Sequence, residues 1–332
     1  MHRFLRGCGR LLVLCVAAAL PVAALWMPAK AWKLPGGAHR APTATAAPTA
    51  FETPLAAAEQ TPPLSAPTVP PKKAGGGTVV EEQLGGGTTL ADNLTYKNRD
   101  GLSVDFAAFL NKKPKTVLKK GDLPQVLILH THTTEAYMTY YAGYYNKADM
   151  GRSTDTDKTV VAAGEALATA LRAKGIAVVH DVTVHDDPEY VGAYYRSADT
   201  ADAVCKQYPS IRLVIDLHRD AIQRSDTVAI KPTVTAGGES YAQMMLVVGG
   251  ENTKDNPNKH RDENVAVAFA LQRALQTAVP GIMRPISFCA CEYNQSLHPG
   301  FLVEVGAQVN TVAEAQHSAA VLGEAIAAVL GA

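Results

Sequence analysis

Histidines and acidic residues follow apolar runs at three separate places in this 332-residue sequence. The first place holds His130, His132 and Glu135, the second holds His218, and the third holds Glu304. A catalytic zinc ion takes three protein ligands from His, Asp or Glu and leaves a fourth position for water. These residue types therefore predict metal-assisted hydrolysis, provided that the fold brings the three places together.

The elements that must position these residues follow from the hydrophobic pattern. Short apolar runs predict strands, and apolar residues three or four positions apart predict helices. Their alternation predicts an α/β domain with a largely parallel or mixed sheet that is flanked by helices. The predicted strands are 126–129, 176–179, 211–216, 228–234, 244–248 and 301–303, and the predicted helices are 159–174, 190–205, 264–279 and 313–330.

Each of the three places comes at the end of one of these predicted strands. Because sites in open α/β sheets lie beyond the carboxyl ends of the strands, we expect the three places to meet at one edge. A single histidine at a strand end is usually a packing residue. Two histidines beside a carboxylate in an apolar setting favour a functional site, since a buried carboxylate is costly unless it is paired or bound to metal.

The residues at these places also resemble those of a known family. The motifs at 130–137, 216–220 and 302–306 resemble those of stage II sporulation protein P, and a further match at 194–197 falls in the same order. That family is similar in fold to zinc-dependent N-acetylmuramoyl-L-alanine amidases. The resemblance implies a membrane-anchored peptidoglycan hydrolase that cuts stem peptides from muramic acid, and also cleaves cross-links, while the forespore is engulfed. It further implies partners, the stage II sporulation proteins D and M.

The resemblance also implies a zinc ion (Zn2+) and part of its ligand set. His132 and His218 match the metal-binding histidines of the amidases. Asp155 lies nearest to the position of the acidic ligand, just ahead of a predicted helix, and is the predicted third ligand. Glu135 and His130 remain alternatives, because both are close to His132 in the chain.

For catalysis, the resemblance matches Glu304 with the glutamate that follows the last strand of the amidases. Such a residue takes a proton from the attacking water and returns it to the leaving amine. Arg219 or Glu135 is expected to orient the substrate or to stabilise the oxyanion. An ion pair between Arg219 and Asp220 that only shapes the loop is the alternative.

The N-terminus predicts export from the cytoplasm. Arg3, Arg6 and Arg10 precede an uncharged apolar run at 11–29, which is just long enough for a membrane helix of about 20 residues. Because positive residues stay on the cytoplasmic side, a single-pass anchor would place the rest of the chain outside the cytoplasm. The family resemblance implies that this is the space between mother cell and forespore. A cleaved signal peptide is the alternative, and it exports the chain as well.

Composition defines the remaining organisation. The predicted segments are an anchor at 1–29, an Ala/Pro/Thr/Gly-rich linker at 30–93 and an amidase-like catalytic domain at 94–332. The 31 Lys and Arg residues balance the 31 Asp and Glu residues, which argues against a nucleic-acid partner because phosphate binding requires a basic excess. The hydrophobic fraction of 47% excludes a wholly disordered chain. A non-catalytic peptidoglycan-binding scaffold of the sporulation machinery is the alternative function.

Overall fold

The computed structural model of the chain describes residues 69–254, 257–291 and 293–331. The predicted anchor at 1–29 and the predicted linker up to residue 68 lie outside the described residues. No helix between residues 69 and 331 is both long and apolar enough to cross a membrane.

The described residues form 13 strands and four α-helices. The strands are β1 (Gly77–Glu82), β2 (Thr88–Thr89), β3 (Thr95–Asn98), β4 (Gly121–Leu129), β5 (Tyr144–Tyr145), β6 (Ile176–His180), β7 (Leu213–Asp220), β8 (Gln223–Ser225), β9 (Val228–Ala236), β10 (Glu239–Ala242), β11 (Met244–Gly249), β12 (Ile286–Cys289) and β13 (Gly300–Ala307). The helices are α1 (Val160–Ala173), α2 (Ala193–Gln207), α3 (Arg261–Ala278) and α4 (Val312–Leu330).

The main sheet has eight strands in the order β2-β3-β12-β11-β13-β7-β4-β6. Its β6, β4, β7 and β13 strands are parallel to one another, and β11 pairs with β13 in the antiparallel sense. The sheet is therefore mixed, and helices flank it. The predicted α/β class is confirmed, and each of the six predicted strands and four predicted helices overlaps an observed element of the same type.

Alternating side chains of β4 show how the two faces of this sheet are covered. Val126 and Ile128 belong to the large core that α1, α3 and α4 help to form. Leu127 and Leu129 point to the other face and pack with Ala201 of α2. Because the side chains of a strand alternate between faces, β4 contributes to both of these environments.

A second sheet has five strands, with β10-β9-β1-β5 in order and β8 paired to β9. The predicted strand 228–234 lies in this sheet, as part of β9, and not in the main sheet. Strand β1 pairs in parallel with β9 and buries Gly77 and Val79. The folded domain therefore begins before residue 94, inside the stretch that the composition assigns to a linker. Only two of the six β1 residues are buried, so the strand has little apolar signal of its own.

Candidate functional site

The turn after β4 is fixed to the neighbouring strand β7 by a buried carboxylate. Asp216 accepts hydrogen bonds from the Thr131 backbone N–H at 2.8 Å and from the Thr131 hydroxyl at 2.7 Å. The hydroxyl of Thr133 donates to the carbonyl of His130 at 2.9 Å and closes the turn. These bonds hold the backbone of the first predicted place in one conformation.

The register of the parallel strands brings the other two places together. His218 of β7 lies opposite Glu304 of β13, and Asp216 lies opposite Leu129 at the end of β4. Paired residues in a sheet point to the same face, so His218 and Glu304 share the face that α2 covers. The ends of β4, β7 and β13 therefore lie together at one edge of the sheet, as the sequence predicted.

His132 is buried at this edge and is held by an aromatic neighbour. Its Nε2 is hydrogen-bonded to the Tyr190 hydroxyl at 3.0 Å, and its ring stacks on the Tyr190 ring at 4.5 Å between centroids. The ring of His218 lies edge-on at 5.2 Å. The Nδ1 atom of His132 is buried and has no hydrogen-bond partner among the described residues. A buried nitrogen of this kind is costly unless another group binds it.

Glu135 supplies a carboxylate to the same point. Its Oε2 lies 3.6 Å from Nδ1 of His218 and accepts a hydrogen bond from the Arg219 backbone N–H at 3.1 Å. Two donor atoms at about 2.0–2.2 Å from one tetrahedral zinc ion are roughly 3.3–3.6 Å apart. The spacing of these two atoms therefore fits a shared metal ion.

The second nitrogen of His218 faces a carboxylate as well. Nε2 of His218 lies 2.9 Å from Oδ1 of Asp216, although the two are not aligned as a hydrogen bond. A carboxylate behind a metal-binding imidazole is a common outer partner that orients the ring. No group of three His, Cys, Asp or Glu side chains in the described part already has the complete spacing of a metal site.

The charges around His218 favour a cation at this point. Burial lowers the pKa of His218, but the carboxylates of Asp216 and Glu135 outweigh it and hold that pKa well above its usual value. Burial raises the pKa of Glu135, and the opposing effects of His218 and Arg219 lower it to about 2. Two ionised carboxylates around a buried point are stabilised by a positive charge, which a metal ion supplies as well as an imidazolium does.

Glu304 has the opposite electrostatic setting. Its Oε2 atom is buried and has no hydrogen-bond partner among the described residues. Burial, together with the Asp220 carboxylate, raises the pKa of Glu304 to about 8. A carboxyl group with a pKa near neutrality can both take and return a proton, which is the requirement for a general acid–base residue.

Comparison with known proteins identifies the family. A family model for stage II sporulation protein P (SpoIIP) matches residues 83–327. The chain belongs to the stage II sporulation protein P family. Stage II sporulation protein P of Bacillus subtilis (strain 168) is 30% identical over 211 residues, which are 60% of this chain and 49% of that protein. The chain thus spans about half the length of this curated relative.

Solved amidase structures show weaker similarity to the chain. The match to the N-acetylmuramyl-L-alanine amidase of Mycobacterium smegmatis covers 63% of this chain and 99% of the amidase chain, with 16% sequence identity and a TM-score of 0.38. The Nostoc punctiforme amidase AmiC2 covers 62% and 97%, with 13% identity and a TM-score of 0.37. The Clostridioides difficile amidase CwlD, in complex with the GerS lipoprotein, covers 62% and 98%, with 12% identity and a TM-score of 0.36. These scores are too low to establish a shared fold.

The structure gives Asp155, the predicted third ligand, a different environment from that of Glu135. Its carboxylate is exposed, accepts a hydrogen bond from the Asp157 backbone N–H and pairs with Lys158 at 2.7 Å. Glu135, by contrast, is buried against His218. The contacts therefore favour Glu135 over Asp155, because a helix-capping carboxylate in water already has its partners.

His130, the other alternative ligand, lies on the opposite face of the main sheet. Its Nδ1 is bonded to the carbonyl of Leu217 at 2.8 Å, and its Nε2 to Nε2 of His180 at 2.9 Å. A Cβ atom at Gly164 of α1 would come within 2.8 Å of the His130 ring. His130 and His132 lie on different faces of the sheet although only one residue separates them, because the chain turns between them.

The structure gives Arg219 a positioning role, and its predicted contact with substrate stays a prediction. Its side chain donates to the carbonyl of Ala136 at 2.9 Å and to that of Gly151 at 2.8 Å. The alternative ion pair with Asp220 is not formed, since that carboxylate pairs with Arg284 at 2.9 Å. Arg219 therefore ties the chain after Glu135 to β7.

Two tyrosines belong to the site without having been predicted as site residues. Tyr190 contacts His132 directly, and the Tyr194 ring lies 5.6 Å from His132 and 6.3 Å from His218. The match at 194–197 pointed to this segment, but it assigned no role to either ring. Their placement depends on how α2 packs on the sheet, and no local pattern encodes that packing.

Replacement of Arg219 by Met tests its positioning role. Because two carbonyls would lose their donor, we expect the free energy of unfolding to fall by about 1–3 kcal/mol. Arg219→Lys should recover at most part of this loss, because an ammonium group lacks the planar arrangement of donors that a guanidinium has. Urea denaturation measures this effect. Arg172→Met is the matched control, since the Arg172 side chain is exposed and donates to Glu165, which is also exposed. It should change the free energy of unfolding by less than about 0.5 kcal/mol. An equal fall in the free energy of unfolding in Arg219→Met and Arg172→Met would contradict the positioning role of Arg219.

Proposed function

We propose that this protein is a zinc-dependent peptidoglycan hydrolase of sporulation, an N-acetylmuramoyl-L-alanine amidase that also cleaves peptide cross-links. The observation that carries the proposal is the convergence of His132, Glu135 and His218. Nδ1 of His132 is buried, has no hydrogen-bond partner among the described residues and lies 3.9 Å from Oδ2 of Asp186, and Glu135 lies 3.6 Å from His218. Membership of the stage II sporulation protein P family supports the substrate class and the setting.

His132, Glu135 and His218 would hold the metal ion. Zinc, when bound, supplies the Lewis acidity that makes water a nucleophile near neutral pH and polarises a scissile carbonyl. Asp216 orients His218, and Arg219 holds Glu135 through its backbone N–H. Glu304, with its raised pKa, takes a proton from the attacking water and returns it to the leaving amine.

The proposal includes a cellular setting. The apolar run at 11–29 would anchor the chain in the cell membrane as a single span, with the hydrolase on the extracytoplasmic side during forespore engulfment. Stage II sporulation proteins D and M are the proposed partners, on the strength of the family resemblance alone. A non-catalytic peptidoglycan-binding scaffold is the competing function. The buried atoms of His132 and Glu304 that lack a hydrogen-bond partner among the described residues argue against it.

The metal content of point variants tests the ligand set. The wild type should retain about one zinc ion per chain after dialysis, and His132→Ala or Glu135→Ala should weaken zinc binding by more than about 100-fold because each removes a ligand. Asp155→Ala is the control and should bind zinc as the wild type does. Elemental analysis and competition with a chromophoric chelator provide the measurement. Loss of zinc from Asp155→Ala but not from Glu135→Ala would contradict this ligand set.

The role of Glu304 can be separated from metal binding. Glu304→Gln keeps the shape of the side chain but removes its proton transfer, so stem-peptide release from purified peptidoglycan should fall by about 10²–10⁴-fold while zinc content is unchanged. Mass spectrometry of the soluble products measures the release. Glu324→Gln makes the same change at an exposed glutamate of α4 and should release peptides normally. A wild type that binds zinc and peptidoglycan but releases no fragment would favour the scaffold.

A further inference from the structure

Arg152 lies beside the candidate metal ligands but is not one of them. Its backbone forms an antiparallel bridge with that of Glu135. Its guanidinium carbon lies 4.6 Å from the centre of the Tyr190 ring, the same ring that stacks on His132 at 4.5 Å. The guanidinium is therefore at most about 9 Å from the His132 ring.

Three neighbours hold the Arg152 side chain in place. Nη1 donates to the carboxylate of Asp186, whose side chain is fully buried, and to the Thr134 hydroxyl at 3.1 Å. Asp186 also accepts from the Thr134 backbone N–H and hydroxyl, at 3.2 and 2.8 Å. The Tyr190 ring adds a cation–π contact. A charged side chain fixed in this way loses little further freedom when it binds a ligand.

One edge of this fixed guanidinium remains available. Neither Nε nor Nη2 of Arg152 has a hydrogen-bond partner in the part of the chain that the structure describes, and the side chain is 39% exposed. The Nε and Nη2 donors of a guanidinium lie in one plane and match the two oxygens of a carboxylate.

We infer that the Nε–Nη2 edge of Arg152 binds a carboxylate of an acidic peptide substrate, one or two residues from the bond that is cleaved. An extended peptide advances about 3.3–3.6 Å per residue, so a carboxylate two residues beyond the scissile bond lies within the span between His132 and Arg152. The inference rests on the proposed function and specifies which chemical feature of the stem peptide the site recognises.

The test compares cleavage of two forms of one substrate by the full chain. Purified peptidoglycan is used as isolated and after its carboxylates have been converted to amides with carbodiimide and ammonia. For the wild type, we expect amidation to lower kcat/KM by about 10- to 100-fold, the effect of losing a charge-assisted bidentate contact. Arg152→Met should show the same loss on the untreated substrate and differ from the wild type by less than about 3-fold on the amidated one.

Further variants separate recognition from folding. Arg152→Lys keeps a cation for Asp186 but lacks the paired Nε and Nη2 donors, so it should retain part of the preference for untreated over amidated peptidoglycan. Arg172→Met, on the surface of α1, should discriminate as the wild type does. Equal cleavage of the two substrates by the wild type, or an equal loss on both substrates in folded Arg152→Lys, would overturn the inference while leaving the hydrolase function intact. If the wild type releases peptide from neither form, the proposed function fails, and the inference fails with it.

Discussion

The parallel pairing of β4, β7 and β13 is the constraint on which the rest of the site depends. It places the end of β4 beside Asp216 and places His218 directly opposite Glu304. A shift of one residue in the register of β4 or β13 against β7 would turn every side chain of the shifted strand to the other face of the sheet. The apolar alternation along the same strands prevents that shift, because it would also move Leu217 and Val303 out of the core. The geometry of the site is thus fixed by the packing of residues that take no part in its chemistry.

Electrostatic neighbours then separate the roles of the acidic groups. Glu135 and Asp216 lie against His218 and remain ionised, whereas Glu304 lies beside Asp220 with one oxygen unpaired and has a raised pKa. One group of carboxylates therefore favours a cation, while the remaining one is suited to proton transfer. Carboxyl groups within a single site can perform opposite tasks when their surroundings shift their pKa values in opposite directions.

Much of this arrangement was predictable from the sequence, and the exceptions have physical causes. The buried strands and long helices have strong periodic patterns, and the positions of His132, His218 and Glu304 after such strands indicated one edge. The choice of Glu135 over Asp155 as the candidate third ligand could not be made from the sequence, because Glu135 approaches His218 only through a turn whose course depends on bonds between Thr131 and Asp216. Strand β1 was missed for a related reason, since its pairing with β9 joins residues about 150 positions apart.

The most direct test of the account is the location of zinc in crystals of the protein, determined by anomalous diffraction at the zinc absorption edge. The account predicts one strong peak within about 2.0–2.2 Å of donor atoms from His132, Glu135 and His218, with Glu304 close by and outside the ligand set. A peak on Asp155, or a fully zinc-loaded protein with no peak among these three side chains, would contradict it.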